Sequence, residues 1–272
     1  MKYFDTINKE LLNQQIFAFI NVDEEDKVLT VTLDRAEKKN ALHPQMINEL
    51  AYAMQYAHSN KDIWVVLFQA KGDVFCAGAD LKAMMGMGGE YNSSIPFPKK
   101  DILLGEIFHK IHKPTIAKIE GAVYAGGFFF LAGCHIVIAK SHVKLGLPEV
   151  KRGLFPFQVM ASLMNVMPKR KVVDWCIRGY NLPVEDALQY GLVTEIVEAD
   201  KVEEVTSKII DELKFNSPTA IRNGLTALDH ILPTGETHMY LMQMLLNTLG
   251  SKDGQEGLKA FKEKRKPNWT GE

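Results

Sequence analysis

Two runs of small residues, each set between an apolar strand and the start of a helix, constrain this chain more than anything else in it. Trp64-Val65-Val66-Leu67-Phe68 reads as a buried strand and leads into Val74-Phe75-Cys76-Ala77-Gly78-Ala79-Asp80-Leu81-Lys82. Ala77, Gly78 and Ala79 leave the backbone uncovered, and glycine allows the tight bend that aims a bare N–H at a ligand. Asp80 stands where a helix can start, with Leu81, Met84 and Met85 on one face. The order repeats further on. Thr115 to Ile119 reads as a buried strand, followed by Glu120-Gly121-Ala122-Val123-Tyr124-Ala125-Gly126-Gly127 and the apolar run Phe128 to Ala132. Either run alone is an ordinary small-residue turn. Two helix N-termini whose N–H groups converge on one oxygen make an oxyanion hole, which needs no special side chains.

These stretches resemble the crotonase superfamily, the enoyl-CoA hydratases and isomerases. Phe75 to Lys82, Gly121 to Gly127 and Leu145-Gly146-Leu147-Pro148-Glu149 carry the resemblance. Asp34-Arg35 with Lys39-Asn40-Ala41-Leu42 extends it toward the start. Ala187 with Tyr190-Gly191-Leu192-Val193, then Glu256-Gly257 and Ala260 to Pro267, extend it toward the end. The marks run in family order over almost the whole chain. The resemblance implies an α/β fold built as a spiral of ββα units, with a C-terminal helical region that forms a homotrimer, often doubled into a hexamer.

Composition fits a globular acyl-CoA enzyme and excludes other classes. Hydrophobic content of 46% and charged content of 24% are ordinary for a globular chain. A formal net charge of −1 gives no reason to expect a nucleic-acid partner. No apolar stretch is long and uncharged enough to span a membrane, and the first residues lack a signal-peptide core. Cys76, Cys134 and Cys176 cannot all pair and show no zinc spacing, so reduced thiols in a cytoplasmic protein, with no metal site, are expected. Cys76 has no histidine partner in sequence and reads as a small filler. The glycines never form the dinucleotide fingerprint after a strand. No cofactor is expected, coenzyme A being part of the substrate.

Alternating strands and helices over residues 1–200 suggest one α/β core, and residues 201–272 a helical extension. Lys2 to Gln15 reads as an exposed lead-in. Phe17 to Val22 and Val28 to Leu33 read as strands around the turn Asp23 to Asp26. Pro44 to Ala57 reads as a helix with Met46, Leu50, Met54 and Ala57 on one face. Met85 to Lys100 is rich in Gly, Ser, Pro and Met and reads as a mobile stretch that can cover a binding pocket. Asp101 to Ile111, Val202 to Leu213, Pro218 to Ala227 and Thr237 to Leu249 have helical periods. The apolar Leu241 to Leu246 stretch needs a cover, either its own core or a second subunit.

The chemistry follows from the hole. With an acyl thioester oxygen between the Ala79 and Gly126 N–H groups, loss of an α-proton makes an enolate that both donors stabilise. Glu149 matches the family's catalytic carboxylate on the Pro148-Glu149 step; a glutamate at a helix start also has a purely structural use. Family hydratases carry a second glutamate just after the oxyanion glycines, and here that position is Phe129. One carboxylate in a dry pocket suits double-bond isomerisation better than hydration, which uses two carboxylates on one water. His135 replaces an aspartate usual in hydratases and reads as structural. By resemblance, Lys39, Ala41, Ala77, Asp80, Leu81, Lys82, Phe261 and Lys264 contact coenzyme A; for Lys82 and Lys264 a solvated charge is the plain alternative. Other readings stay open: a hydratase or other enolate-forming lyase whose second acid comes from Glu90, Asp101 or Glu106, or a non-catalytic acyl-CoA-binding oligomer.

Overall fold

The computed structural model describes residues 1–231 and 235–268. Its strands, in chain order, are β1 (Ile20–Glu25), β2 (Val28–Leu33), β3 (Val65–Ala70), β4 (Val74–Cys76), β5 (Thr115–Ile119), β6 (Ala122–Tyr124), β7 (Ile136–Lys140), β8 (Leu145–Gly146), β9 (Asn181–Leu182) and β10 (Glu195–Val197). They form a six-stranded sheet ordered β1-β2-β3-β5-β7-β10 and a four-stranded sheet ordered β4-β6-β8-β9. β2, β3, β5, β7 and β10 run parallel, as do β4, β6 and β8; β1 and β9 are antiparallel edges. Consecutive strands therefore alternate between sheets, β3 to β4, β5 to β6 and β7 to β8, with helical turns after each pair. That alternation is the ββα spiral expected from the resemblance, and no hydrophobic periodicity reports it.

Parallel strands buried on both faces read as continuous apolar runs, and β3 shows why. Val66 and Phe68 face the main core, where Phe68 and Phe75 both meet the Phe130 ring edge-on. Val65 and Leu67 face a second cluster with Ile116, Ile138 and Val202. The helix Val202–Phe215 covers that outer face.

Two expectations change, and one open alternative is partly resolved. Lys2 to Gln15 is not an exposed lead-in: Tyr3, Phe4, Ile7 and Leu12 are buried, and Lys9–Asn13 is a helical turn. Gln55 ties this segment down, its Oε1 accepting from the Tyr3 and Phe4 N–H groups at 2.6 and 2.9 Å. The first hairpin is tighter than expected, because β1 runs through Asp23, Glu24 and Glu25 and the turn is Asp26-Lys27. Both residues have positive φ, 44° and 71°, the left-handed pair a two-residue turn needs. The acidic run looked like a loop because an edge strand can point its charges to solvent. Finally, the helix Gly235–Gly250 packs on Phe157–Leu163 of its own chain and buries Leu241, so part of its apolar face is covered internally. Tyr240 and Leu246 remain exposed. The other helices lie where expected, Pro44–Ser59, Leu104–His109 and Pro218–Ile231 among them, with ends shifted by a few residues.

Candidate active site

The four-stranded sheet places three turns side by side. β4, β6 and β8 are adjacent and parallel, and Ala79, Gly126 and Glu149 lie just past their carboxyl ends. This is the edge at which open α/β sheets collect ligands.

The two small-residue turns touch. Gly78 has φ of +90°, and a Cβ there would come within 2.6 Å of the Ala125 Cβ and 3.1 Å of the Gly126 nitrogen. No larger residue fits. Ala125 itself is left-handed, with φ of 50°, a conformation that costs an alanine energy and redirects the following N–H. A Cβ on Gly126 would lie 3.6 Å from the Ala79 nitrogen and 3.2 Å from Leu42 Cδ1, so one small space separates the two backbones. The Lys39 to Leu42 segment runs beside the first turn. Ala77 N–H donates to Lys39 O at 3.0 Å, Leu42 N–H to Gly78 O at 2.8 Å, and Asp80 N–H to Leu42 O at 3.0 Å. The Ala79 N–H takes no backbone acceptor in that ladder.

Asp80 starts the short helix Leu81–Met84 as expected, its Oδ1 accepting from the Ala83 N–H at 3.1 Å. Its other oxygen accepts from the buried Arg35 guanidinium at 2.7 Å, and the same nitrogen donates to Ala41 O at 3.1 Å. Burial raises the Asp80 pKa, but the Ala83 amide and Arg35 outweigh it and hold the carboxyl below the usual carboxylate range. Asn40 is equally committed: its Oδ1 accepts from Arg35 N–H at 2.8 Å, and its Nδ2 donates to Lys71 O and Val74 O. Arg35 and Asn40 carry part of the family resemblance, but the sequence alone assigns neither a role. Buried polar residues flanking a turn were the available signal.

Glu149 opens a short 3-10 turn, Glu149–Arg152, and is half-buried. Its Oε2 is enclosed with no hydrogen-bond partner among the described residues. Burial pushes its pKa up to about 7, against smaller opposing pulls from its own amide and from Arg152. A carboxyl poised near neutrality in an enclosed position is suited to taking and returning a proton. The helix Lys252–Glu263 of the same chain braces this turn. Gly257 lies against the Arg152 carbonyl, where a Cβ would come within 2.1 Å, and the Arg152 guanidinium covers the Phe261 ring at 4.3 Å.

The residues matched to coenzyme A thus divide into two groups. Lys39, Ala41, Ala77, Asp80, Leu81 and Lys82 come together around the first turn, with Lys39 and Lys82 exposed. Phe261 and Lys264 approach from the C-terminal helix, both exposed, with Phe261 stacked on the Glu149 turn through Arg152.

Phe129 is buried in the helix Phe128–Gly133 and belongs to the main core. His135 packs Nδ1 against the Thr115 hydroxyl at 2.7 Å, a structural tie between β5 and β7 as expected. Glu106 pairs with Lys110, while Glu90 and Asp101 are exposed. All three cysteines are free and buried, and burial pushes the Cys76 thiol up to about 12, so it stays protonated. Among the described residues no group of His, Cys, Asp or Glu is placed to hold a metal ion.

The model of the enoyl-CoA hydratase/isomerase family matches residues 23–272. An enoyl-CoA hydratase, EchA19 of Mycobacterium tuberculosis, is 29% identical over 254 residues, covering 91% of this chain and 95% of its own. The mitochondrial enoyl-CoA hydratase domain-containing protein 3 of Rattus norvegicus is 26% identical over 250 residues, covering 91% and 83%. Among solved structures, a carnitinyl-CoA hydratase from Mycobacterium avium superposes with a TM-score of 0.82 at 28% identity, covering 94% of this chain and 99% of that one.

Proposed function

The chain belongs to the enoyl-CoA hydratase/isomerase family, and from that premise we propose that it is an enoyl-CoA isomerase working through one carboxylate. The thioester oxygen sits between the N–H groups of Ala79 and Gly126. Glu149 takes a proton from C2 of a 3-enoyl-CoA, and the electron pair moves into the thioester carbonyl as an enolate conjugated with the remaining double bond. The neutral Glu149 carboxyl then returns the proton to C4, the pair shifts to C2–C3, and a 2-enoyl-CoA leaves with the carboxylate regenerated. The observation that carries this reading is the lone enclosed Glu149, raised to about 7, with the buried Phe129 where a hydratase would hold its second carboxylate.

Hydration is the second reading, favoured by relatives whose names describe hydratases. It requires another acid, and of the sequence candidates Glu106 is already paired with Lys110. A cytoplasmic location accords with three free buried thiols. A trimer or dimer of trimers accords with the exposed Tyr240 and Leu246 on the helix Gly235–Gly250.

Single-turnover isomerisation of a 3-enoyl-CoA by Ala79→Pro and Glu149→Gln tests the reading. Ala79→Pro deletes one donor and lowers the rate by about 10²–10³. Glu149→Gln removes the base and lowers it by at least about 10²–10⁴. Parent rates in either folded variant would place the chemistry elsewhere.

A further inference from the structure

A cavity of about 250 Å³ lies beside the residues that precede β3 and β5. Lys61 and Trp64 line it just before β3, and His112 and Lys113 just before β5, so its floor is the amino end of the six-stranded sheet. Thr219 and Arg222 line it from the first turns of the helix Pro218–Ile231. None of these residues belongs to the candidate active site.

The charge inside is one-sided. Lys113 is 5% exposed, and its Nζ donates to the carbonyls of Asn60 and Ile63 rather than to a carboxylate. Burial, with the charge of Arg222 added, brings the Lys113 ammonium down to about 8; Asp62 pulls weakly the other way. Asp62 is directed outward, its side chain 76% exposed and 3.4 Å from Lys27. Neither Arg222 nor Lys61 has a hydrogen-bonded or ion-paired acceptor among the described residues. Among the described residues no carboxylate lines the cavity. The amide groups that open a 14-residue helix add partial positive charge on the same side. Like charges held together in a part-buried space repel, and an anion between them removes that cost.

We propose that this cavity binds a phosphate-class oxyanion, held between Arg222 and Lys61 with Lys113 and the first turn of the helix behind it. Arg222 supplies a planar fork suited to two phosphate oxygens. The cavity is several times the ~30 Å³ that one water occupies, so inorganic phosphate or a phosphomonoester can enter. Trp64 forms an apolar wall for an organic substituent. Bound there, the anion bridges the helix Pro218–Ile231 to the sheet and stabilises the docking of the C-terminal helices.

Titration calorimetry with inorganic phosphate, against sodium chloride at matched ionic strength, tests this on the full chain. The expected result is saturable binding at one site, weakened about tenfold or more in Arg222→Gln and in Lys61→Gln, as loss of a charge-assisted hydrogen bond implies. Lys82→Gln, at the other end of the molecule's strands, leaves it unchanged. Absence of saturable heat with the parent protein overturns the proposal. So does binding that survives Arg222→Gln but is lost in Lys82→Gln, which would put phosphate in the acyl-CoA site. A phosphate-induced change in mass by light scattering, without Arg222 dependence, would show an interface with a second copy instead.

Discussion

Arg35 and Asp80 form a part-buried ion pair at 2.7 Å whose guanidinium also holds the Ala41 carbonyl, so one side chain joins the strand-like segment before the first turn to the helix start after it. Ala79 lies between the points so fixed. Truncating Arg35 leaves Asp80 and a carbonyl without their donor in a site where little water can replace it. Arg35→Ala is expected to cost roughly 2–4 kcal/mol by urea denaturation. It should also lower kcat more than it raises KM, because the Ala79 N–H loses its aim. Arg35→Lys should restore part of the stability and less of the rate, since lysine cannot reproduce the fork.

The acid–base behaviour of Glu149 gives a prediction with a definite sign. Its folded pKa of about 7 lies above the ordinary 4.5, so the folded chain holds this proton more tightly than the unfolded one. The stability linked to the protonated form is complete below pH 4.5 and is lost as pH rises through 7. Replacing Glu149 with glutamine removes the penalty, so the variant should be more stable than the parent by roughly 2–3 kcal/mol at pH 8 and nearly equal to it at pH 4.5. The isomerase rate of the parent should move the opposite way, falling below an inflection near pH 7 because only the carboxylate accepts a proton. Denaturation curves at the two pH values and a pH–rate profile check both halves.

Self-association is the third expectation. Tyr240, 64% exposed, and Leu246, 54% exposed, stand on a helix whose Leu241 already packs inward. Light scattering at micromolar concentration should give the mass of a trimer or its double. A monomer would mean that the chain's own fold is the only cover this helix has.

The sequence showed the parts of this site better than their assembly. Ala79 and Gly126 were legible as turn residues because each follows an apolar strand with small residues, whereas Glu149 stood out only through the resemblance at the Pro148-Glu149 step. Their adjacency was not, since it depends on β4, β6 and β8 lining up in a separate sheet, and pairing between distant strands leaves no periodicity. Arg35 and Asn40 were passed over because their work is done through carbonyls and a carboxylate far along the chain. Tyr3 and Phe4 looked exposed because Gln55, a polar residue on the helix Pro44–Ser59, is what anchors them. The first hairpin was legible but its turn reads as Asp23 to Asp26, because the positive-φ pair Asp26-Lys27 stands where Asn-Gly would have announced it. Phe129 and His135 were informative by their mismatch with the family pattern.

Whether one carboxylate moves a proton within the acyl chain is read by offering the parent protein a 2-enoyl-CoA and a 3-enoyl-CoA side by side. Rapid conversion of the 3-enoyl to the 2-enoyl thioester is expected, with hydration slower by about 10²–10⁴ for want of a second acid. Fast hydration of the 2-enoyl-CoA, with the 3-enoyl-CoA left unchanged, would contradict it.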